Sequence, residues 1–272
     1  MELRSLAVIA ITLGNPTLGL GVNPSQAEDI VRRSVTNTNT NWADAPGYDF
    51  TERDTVIQNG KRTSKTYQVL MIEGSPYNKL IAVDGQPVAA KEGEDHKLQQ
   101  EIKRRRSESP SARQKRLEQY QKERRQDHAL MSEMVKAFEF TLKGEETVNG
   151  RRCFVLQAEP KPGYKPLSRD TQVLRGMRGQ MWVDAEEYQW VRVHAEVFRA
   201  VSFGLFFARV KPGTEFTLEQ QPVQGKLWLP SHFTMNVKAR VLLWSKTSAE
   251  DEVYSNYHPG GTVEAASPRF RR

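Results

Sequence analysis

The sequence is poor in the features that usually announce a chemistry. It holds a single cysteine, Cys153, so no internal disulfide can form even in an oxidising compartment. No apolar run approaches the roughly 20 residues a membrane-crossing helix needs. GxGxxG, P-loop and GxSxG patterns are absent, which leaves dinucleotide, nucleotide and serine-hydrolase chemistry without a carrier. The five histidines, His96, His128, His194, His232 and His258, fall at no metal-binding spacing. Cys153 follows a hairpin turn and reads as a small buried strand residue, not a nucleophile. The adjacent Glu186 and Glu187 sit in a turn, where solvation accounts for them. No catalytic residue, metal ligand or cofactor site is read, and the chain is expected not to be an enzyme.

What is present begins with size and charge. A chain of 272 residues, 38% hydrophobic, can bury one large core or two small ones. A net charge of +7 favours anionic partners: phospholipid headgroups, nucleic acid or acidic proteins. Arg4 precedes a mostly apolar run over residues 6–13, and Ser25-Gln26-Ala27 supplies small residues where a signal peptidase reads. A signal peptide over residues 1–27 is therefore expected. No cysteine lies near its end, so a lipid anchor is not.

The chain is organised around residues 179–198, GQMWVDAEEYQWVRVHAEVF. Two extended segments flank a turn at Ala185, Glu186 and Glu187. Val191, Val193, Ala195 and Val197 share one face by period two, and Trp190, Arg192, His194 and Glu196 the other. The design recurs. Phe138, Phe140 and Leu142 alternate with polar residues, as do Phe233, Met235, Val237, Ala239, Val241 and Leu243. Asp84-Gly85 and Asn149-Gly150 are hairpin signals. Residues 201–207 form a short apolar run containing Phe203 and Phe206. A helix over residues 29–42 places Ile30, Val31, Val35 and Trp42 on one side, with the TNTNTN run weakening its end.

One segment breaks the pattern. Residues 91–127 are dominated by Lys, Arg, Glu and Gln, and Ser109-Pro110 marks a helix start. Two helices are predicted, over residues 95–106 and 110–135, with thin apolar stripes at Leu98, Ile102, Leu117 and Tyr120. They read as a peripheral charged insertion. Lys103-Arg104-Arg105-Arg106 could touch nucleic acid, but interspersed glutamates make a solvated helix face the better reading, and no nucleic-acid partner is expected.

The sheet thus has a large dry face, with Phe138, Phe140, Val191, Val193, Val197, Phe203, Phe206, Phe233, Met235 and Val237 as candidate lining. It either closes into a filled barrel or leaves a cavity. Here FEFTLKGEETVNGRRCFVLQAEP, GQMWVDAEEYQWVRVHAEV, LWLPSHFTMNV and the closing YSNY resemble the outer-membrane lipoprotein-sorting proteins, the LolA/LolB-like fold. The resemblance implies an α+β domain over residues 28–258: a curved, antiparallel half-open β-barrel with an N-terminal helix. Residues 259–272, from Pro259 on, read as a flexible tail. The resemblance also implies a periplasmic carrier whose cavity holds lipid or lipoprotein acyl chains. The net charge adds an anionic membrane surface or envelope proteins as further expected partners, and a monomer is expected. The charged helices are longer and more polar than the family's lid. The envelope-stress sensor domain RseB shares the fold, so a regulatory protein-binding module is the alternative.

Overall fold

The computed structural model describes residues 24–88, 93–168, 170–203, 208–241 and 244–260. Residues 1–23 of the expected signal peptide, Phe206 and residues 261–272 of the expected tail lie outside them, as does the side chain of Phe203.

Two-residue turns build the first hairpins. Strand β1 (Tyr48–Gln58) returns through Asn59-Gly60 into β2 (Lys61–Ile72), and β3 (Ser75–Val83) through Asp84-Gly85 into the short β4 (Gln86–Pro87). Both turns place both residues at positive φ, the geometry that matches strand twist. After β4 the chain leaves the sheet as helix α2 (Glu94–Arg106) and helix α3 (Pro110–Ala137). It re-enters as β5 (Phe138–Val148), and Asn149-Gly150 turns it into β6 (Arg151–Pro160). A short 3₁₀ helix (Asp170–Gly176) leads to β7 (Met177–Asp184) and β8 (Trp190–Val197). Then come β9 (Val201–Phe203), β10 (Ala208–Val210), β11 (Glu215–Gln224), β12 (Leu227–Val241) and β13 (Trp244–Pro259).

These form one 13-stranded sheet in the order β4-β3-β2-β1-β13-β12-β11-β8-β7-β6-β5, with β9 and β10 added beside β12. Neighbouring strands run antiparallel throughout. The sheet is curved and open, as the half-open barrel expectation requires. Its ends are β4 and β5, and α2–α3 is the crossover that joins them. Register shifts interrupt five pairings at six places, Asp49/Thr51, Thr66/Tyr67, Leu142/Gly144, Trp182/Val183, Glu219/Gln220 and Pro222/Gln224, the last two both between β11 and β12.

Helix α1 (Pro24–Asp44) lies on one face of the β5–β8 half. Its Ala27, Ile30 and Val31 pack on Leu142, Leu156, Met181, Val183, Trp190 and Val193. The TNTNTN run does not end it. Thr38 and Thr40 donate to the carbonyls of Ser34 and Thr36 one turn back. Asn37 donates to the Glu187 carbonyl at 2.7 Å, and Asn41 donates to Gln189 Oε1 at 2.8 Å. The polar run is a socket for the β7–β8 turn, a tertiary role that overrides its weak helix propensity.

The charged crossover is anchored by an arginine. Arg105, 7% exposed, donates to the carbonyls of Ile72, Ser75 and Pro76 at 2.7–3.0 Å, in the β2–β3 turn. Leu98 and Ile102 cover Leu70 and Ile72 beside it. Glu101 takes hydrogen bonds from Arg104 and Arg105, which hold its carboxyl at about 2. Farther along α3, Arg124 donates to the Trp42 carbonyl, and His128 stacks on the Trp42 ring at 4.3 Å. Trp42 therefore serves α3, not the sheet.

Candidate functional site

A groove of about 680 Å³ lies between α1, β5 and the end of α3. Val31, Val35, Val135, Phe138, Phe140 and Leu142 make its apolar wall. Glu28, Arg32, Glu139 and Lys161 stand at it with their charges. Its position follows from topology: β5 is an end strand, and α1 overlies it without sealing it. Phe138 and Phe140 also border a smaller apolar pocket of about 30 Å³ with Met134, Ala158, Met177, Met181, Val193 and Ala195. The two aromatic rings contact edge-on at 6.4 Å.

The sequence-derived residues divide between places. Phe138, Phe140 and Val193 border the groove or the smaller pocket. Val197 is buried under the 3₁₀ helix with Leu174 and Met177. Val191 packs with Val148, Cys153 and Trp228 instead. The β-bulge explains Val191: Trp182 faces Arg192 but Val183 faces Trp190, so strict alternation fails there. Trp190, expected on the wet side, is 2% exposed and joins Val193 beneath α1. Cys153 is fully buried, and burial pushes its thiol above the ordinary value.

Phe233, Met235 and Val237 lie on a different part of the same face. Directly paired residues project to one side, and Val193 pairs with Leu218, Leu218 with Phe233, Phe233 with Glu252, and Glu252 with Asp54. The face that is apolar under α1 thus turns acidic on β13 and β1. Met235 pairs with Glu250, which pairs with Val56. The three β12 residues are half-buried and do not form a wholly apolar trough, because the strand beside them presents Ser248, Glu250 and Glu252. Period two in β13 was the available signal, but alternation does not say which side faces inward.

Glu52 is at the centre of this acidic part. Burial first, then Glu252 and Asp54, raise its carboxyl from an ordinary 4.5 to about 7. Burial likewise raises Glu252, which accepts a hydrogen bond from Tyr254. Tyr254 and Tyr257 crowd Phe50 at 6.0 and 5.3 Å, and burial lifts both phenols. Among the described residues no group of three or more His, Cys, Asp or Glu could hold a metal ion. Between pH 4.5 and about 7 the folded chain keeps a proton on Glu52 that the unfolded chain has released. The stability this site contributes is full at low pH and lost as pH rises through about 7. Glu52→Gln is expected to raise the melting temperature at pH 8 and to leave it unchanged at pH 4.5. An equal shift at both would show that the side chain acts by packing alone.

No protein-family model and no curated protein matches the chain. Among solved structures it is similar to a domain named for outer membrane lipoprotein sorting from Vibrio parahaemolyticus, at 11% identity and a TM-score of 0.39, covering 89% of this chain and 96% of that one. A LolA superfamily protein from Nitrosomonas europaea matches at 9% identity and a TM-score of 0.34, covering 86% and 94%. The complex of Pseudomonas aeruginosa MucA and MucB matches at 10% identity and a TM-score of 0.23, covering 87% and 99%. The family that the sequence resembles is thus among the structural matches. At these scores no lipid or partner is carried over from them.

Proposed function

We propose that this chain is a non-catalytic binder and carrier of lipid or lipoprotein acyl chains, working in the periplasm after export. The observation that carries the reading is the groove beside β5. Its volume of about 680 Å³ falls among small-molecule sites. Its wall is apolar, and it borders a second apolar pocket through Phe138 and Phe140. Burying a chain there is worth roughly 0.8 kcal/mol per methylene, so a fatty acyl group needs no polar anchor. The acidic part of the same sheet face supports a second reading, a regulatory module that takes a basic segment of an envelope protein against Glu52, Asp54, Glu250 and Glu252.

The test places a carboxylate in the wall. Phe140→Glu must either keep the groove hydrated or bury a charge, and is expected to weaken binding of a fluorescent fatty acid by about 100-fold or more. Lys143→Glu, exposed farther along β5, is expected to leave it unchanged. Val35→Glu, from the α1 side, repeats the test if Phe140→Glu does not fold. Native-like affinity in a folded groove variant would refute the acyl-chain reading.

A further inference from the structure

Next to the groove the surface changes character. Residues 161–166 form a loop after β6, and Pro162 and Pro166, with Pro160 at the strand end, restrict its backbone. Lys161 N–H donates to the Ala137 carbonyl at 2.7 Å, and Tyr164 Oη donates to Glu133 at 3.1 Å, so the loop is fixed to the end of α3. Between this loop and the 3₁₀ helix is a depression of about 450 Å³ bordered by Lys161, Lys165, Arg175 and Arg199. A second, of about 380 Å³, shares Arg175 and Arg199. Neither is lined by any carboxylate. Arg178 stands nearby but is matched by Glu196 at 2.8 Å. The four lining cations have no carboxylate partner among the described residues.

The same surface exposes apolar side chains. Among the described residues three large hydrophobics are exposed, and two are here: Leu167 at 75% and Phe198 at 37%. Leu167 follows the loop directly. Phe198 lies under the guanidinium groups of Arg178 and Arg199, at 5.5 and 5.4 Å from its ring centre. Cations without carboxylate partners beside exposed apolar side chains are what an anionic bilayer surface recognises: headgroup phosphates meet the charges, and the apolar groups enter the interface. A small soluble anion would use the cations but gain nothing from Leu167 and Phe198.

We infer that the surface made by Lys161, Lys165, Arg175, Arg199, Leu167 and Phe198 docks this protein on anionic phospholipid membrane. Lys161 borders both this surface and the acyl groove, so docking brings the groove to the bilayer. The inference goes beyond the carrier reading and is tested separately from it.

The test is co-sedimentation of the full chain with phosphatidylglycerol-containing vesicles and with pure phosphatidylcholine vesicles at low salt. The native protein is expected to prefer the anionic vesicles by on the order of tenfold or more, and to lose the preference at high salt. Lys165→Glu with Arg175→Glu is expected to abolish it. Leu167→Ser with Phe198→Ser, which leaves the charge unchanged, is expected to weaken it several-fold. Lys115→Glu with Lys122→Glu, the same charge change on the exposed face of α3, is expected to leave most of it. Equal losses in the two charge-reversed proteins would assign binding to net charge and overturn the inference. So would absence of any lipid preference, or a thermal shift with inorganic phosphate from a protein that ignores vesicles. Fatty-acid binding, measured without vesicles, reports on the groove alone. Its failure with vesicle binding intact sinks only the carrier reading, and the reverse result sinks only the docking surface.

Discussion

Trp228→Ala is expected to lower the unfolding free energy by about 3–5 kcal/mol, the range for emptying a buried tryptophan site. Trp228 is 1% exposed and ties together segments far apart in the chain. Its backbone N–H donates to Asn41 of α1 at 3.3 Å, and its indole N–H to Glu187 of the β7–β8 turn at 3.1 Å. The Arg151 guanidinium lies 4.7 Å from the ring centre, and Val148, Cys153 and Val191 pack around it. Arg151 in turn binds Asp184 and Glu187 at 3.0 and 3.1 Å. Removing the ring leaves a cavity and takes one contact each from Glu187 and Arg151, which stay paired with each other. Trp228→Phe keeps most of the volume and loses the indole donor, so about 1 kcal/mol is expected. Urea titration separates the two. A loss below 1 kcal/mol for the alanine variant would mean that these segments hold together without the ring.

Arg105→Ala is expected to cost about 3 kcal/mol and to release the charged crossover. The guanidinium is the donor that the β2–β3 carbonyls of Ile72, Ser75 and Pro76 share. Arg105→Lys is expected to recover only part, because a single ammonium cannot reproduce the planar fork. Limited proteolysis within α2 and α3 should become much faster while the far-ultraviolet strand signal persists. Unchanged protection would show that Leu98, Ile102 and Arg116, which donates to Ser75 Oγ at 2.6 Å, suffice as an anchor. The composition of residues 91–127 reads as a peripheral segment; in α2 Gln99, Gln100, Lys103 and Arg106 are exposed while Leu98, Ile102 and Arg105 are buried. Its attachment was not legible. One buried arginine in a run of four basic residues looks the same in sequence as its three neighbours.

The site was partly legible in the same way. Alternation identified Phe138, Phe140 and Val193 as residues of one face, and all three border the apolar groove or its neighbouring pocket. The helix stripe at Ile30, Val31 and Val35 was also readable, and it covers that face. The groove itself was not, because it exists only where α1 meets β5, residues roughly a hundred positions apart. The basic surface was hidden for the same reason: Lys161, Lys165, Arg175 and Arg199 belong to three separate local segments.

By itself the sequence determined that strands would dominate, where the Asp84-Gly85 and Asn149-Gly150 hairpins turn, and which side chains share a face within an unbroken strand. These are local consequences of backbone geometry and side-chain period. Tertiary structure alone decided that β4 and β5 are the ends of the sheet, joined by a helical crossover. It alone decided that Val191 leaves its expected face at a bulge, and that the face holding Met235 becomes acidic at Glu250 and Glu252. The physical reason is pairing. A strand's period is written in its own residues, but the environment of each face depends on the register of strands far away in sequence and on which helix comes to lie over them.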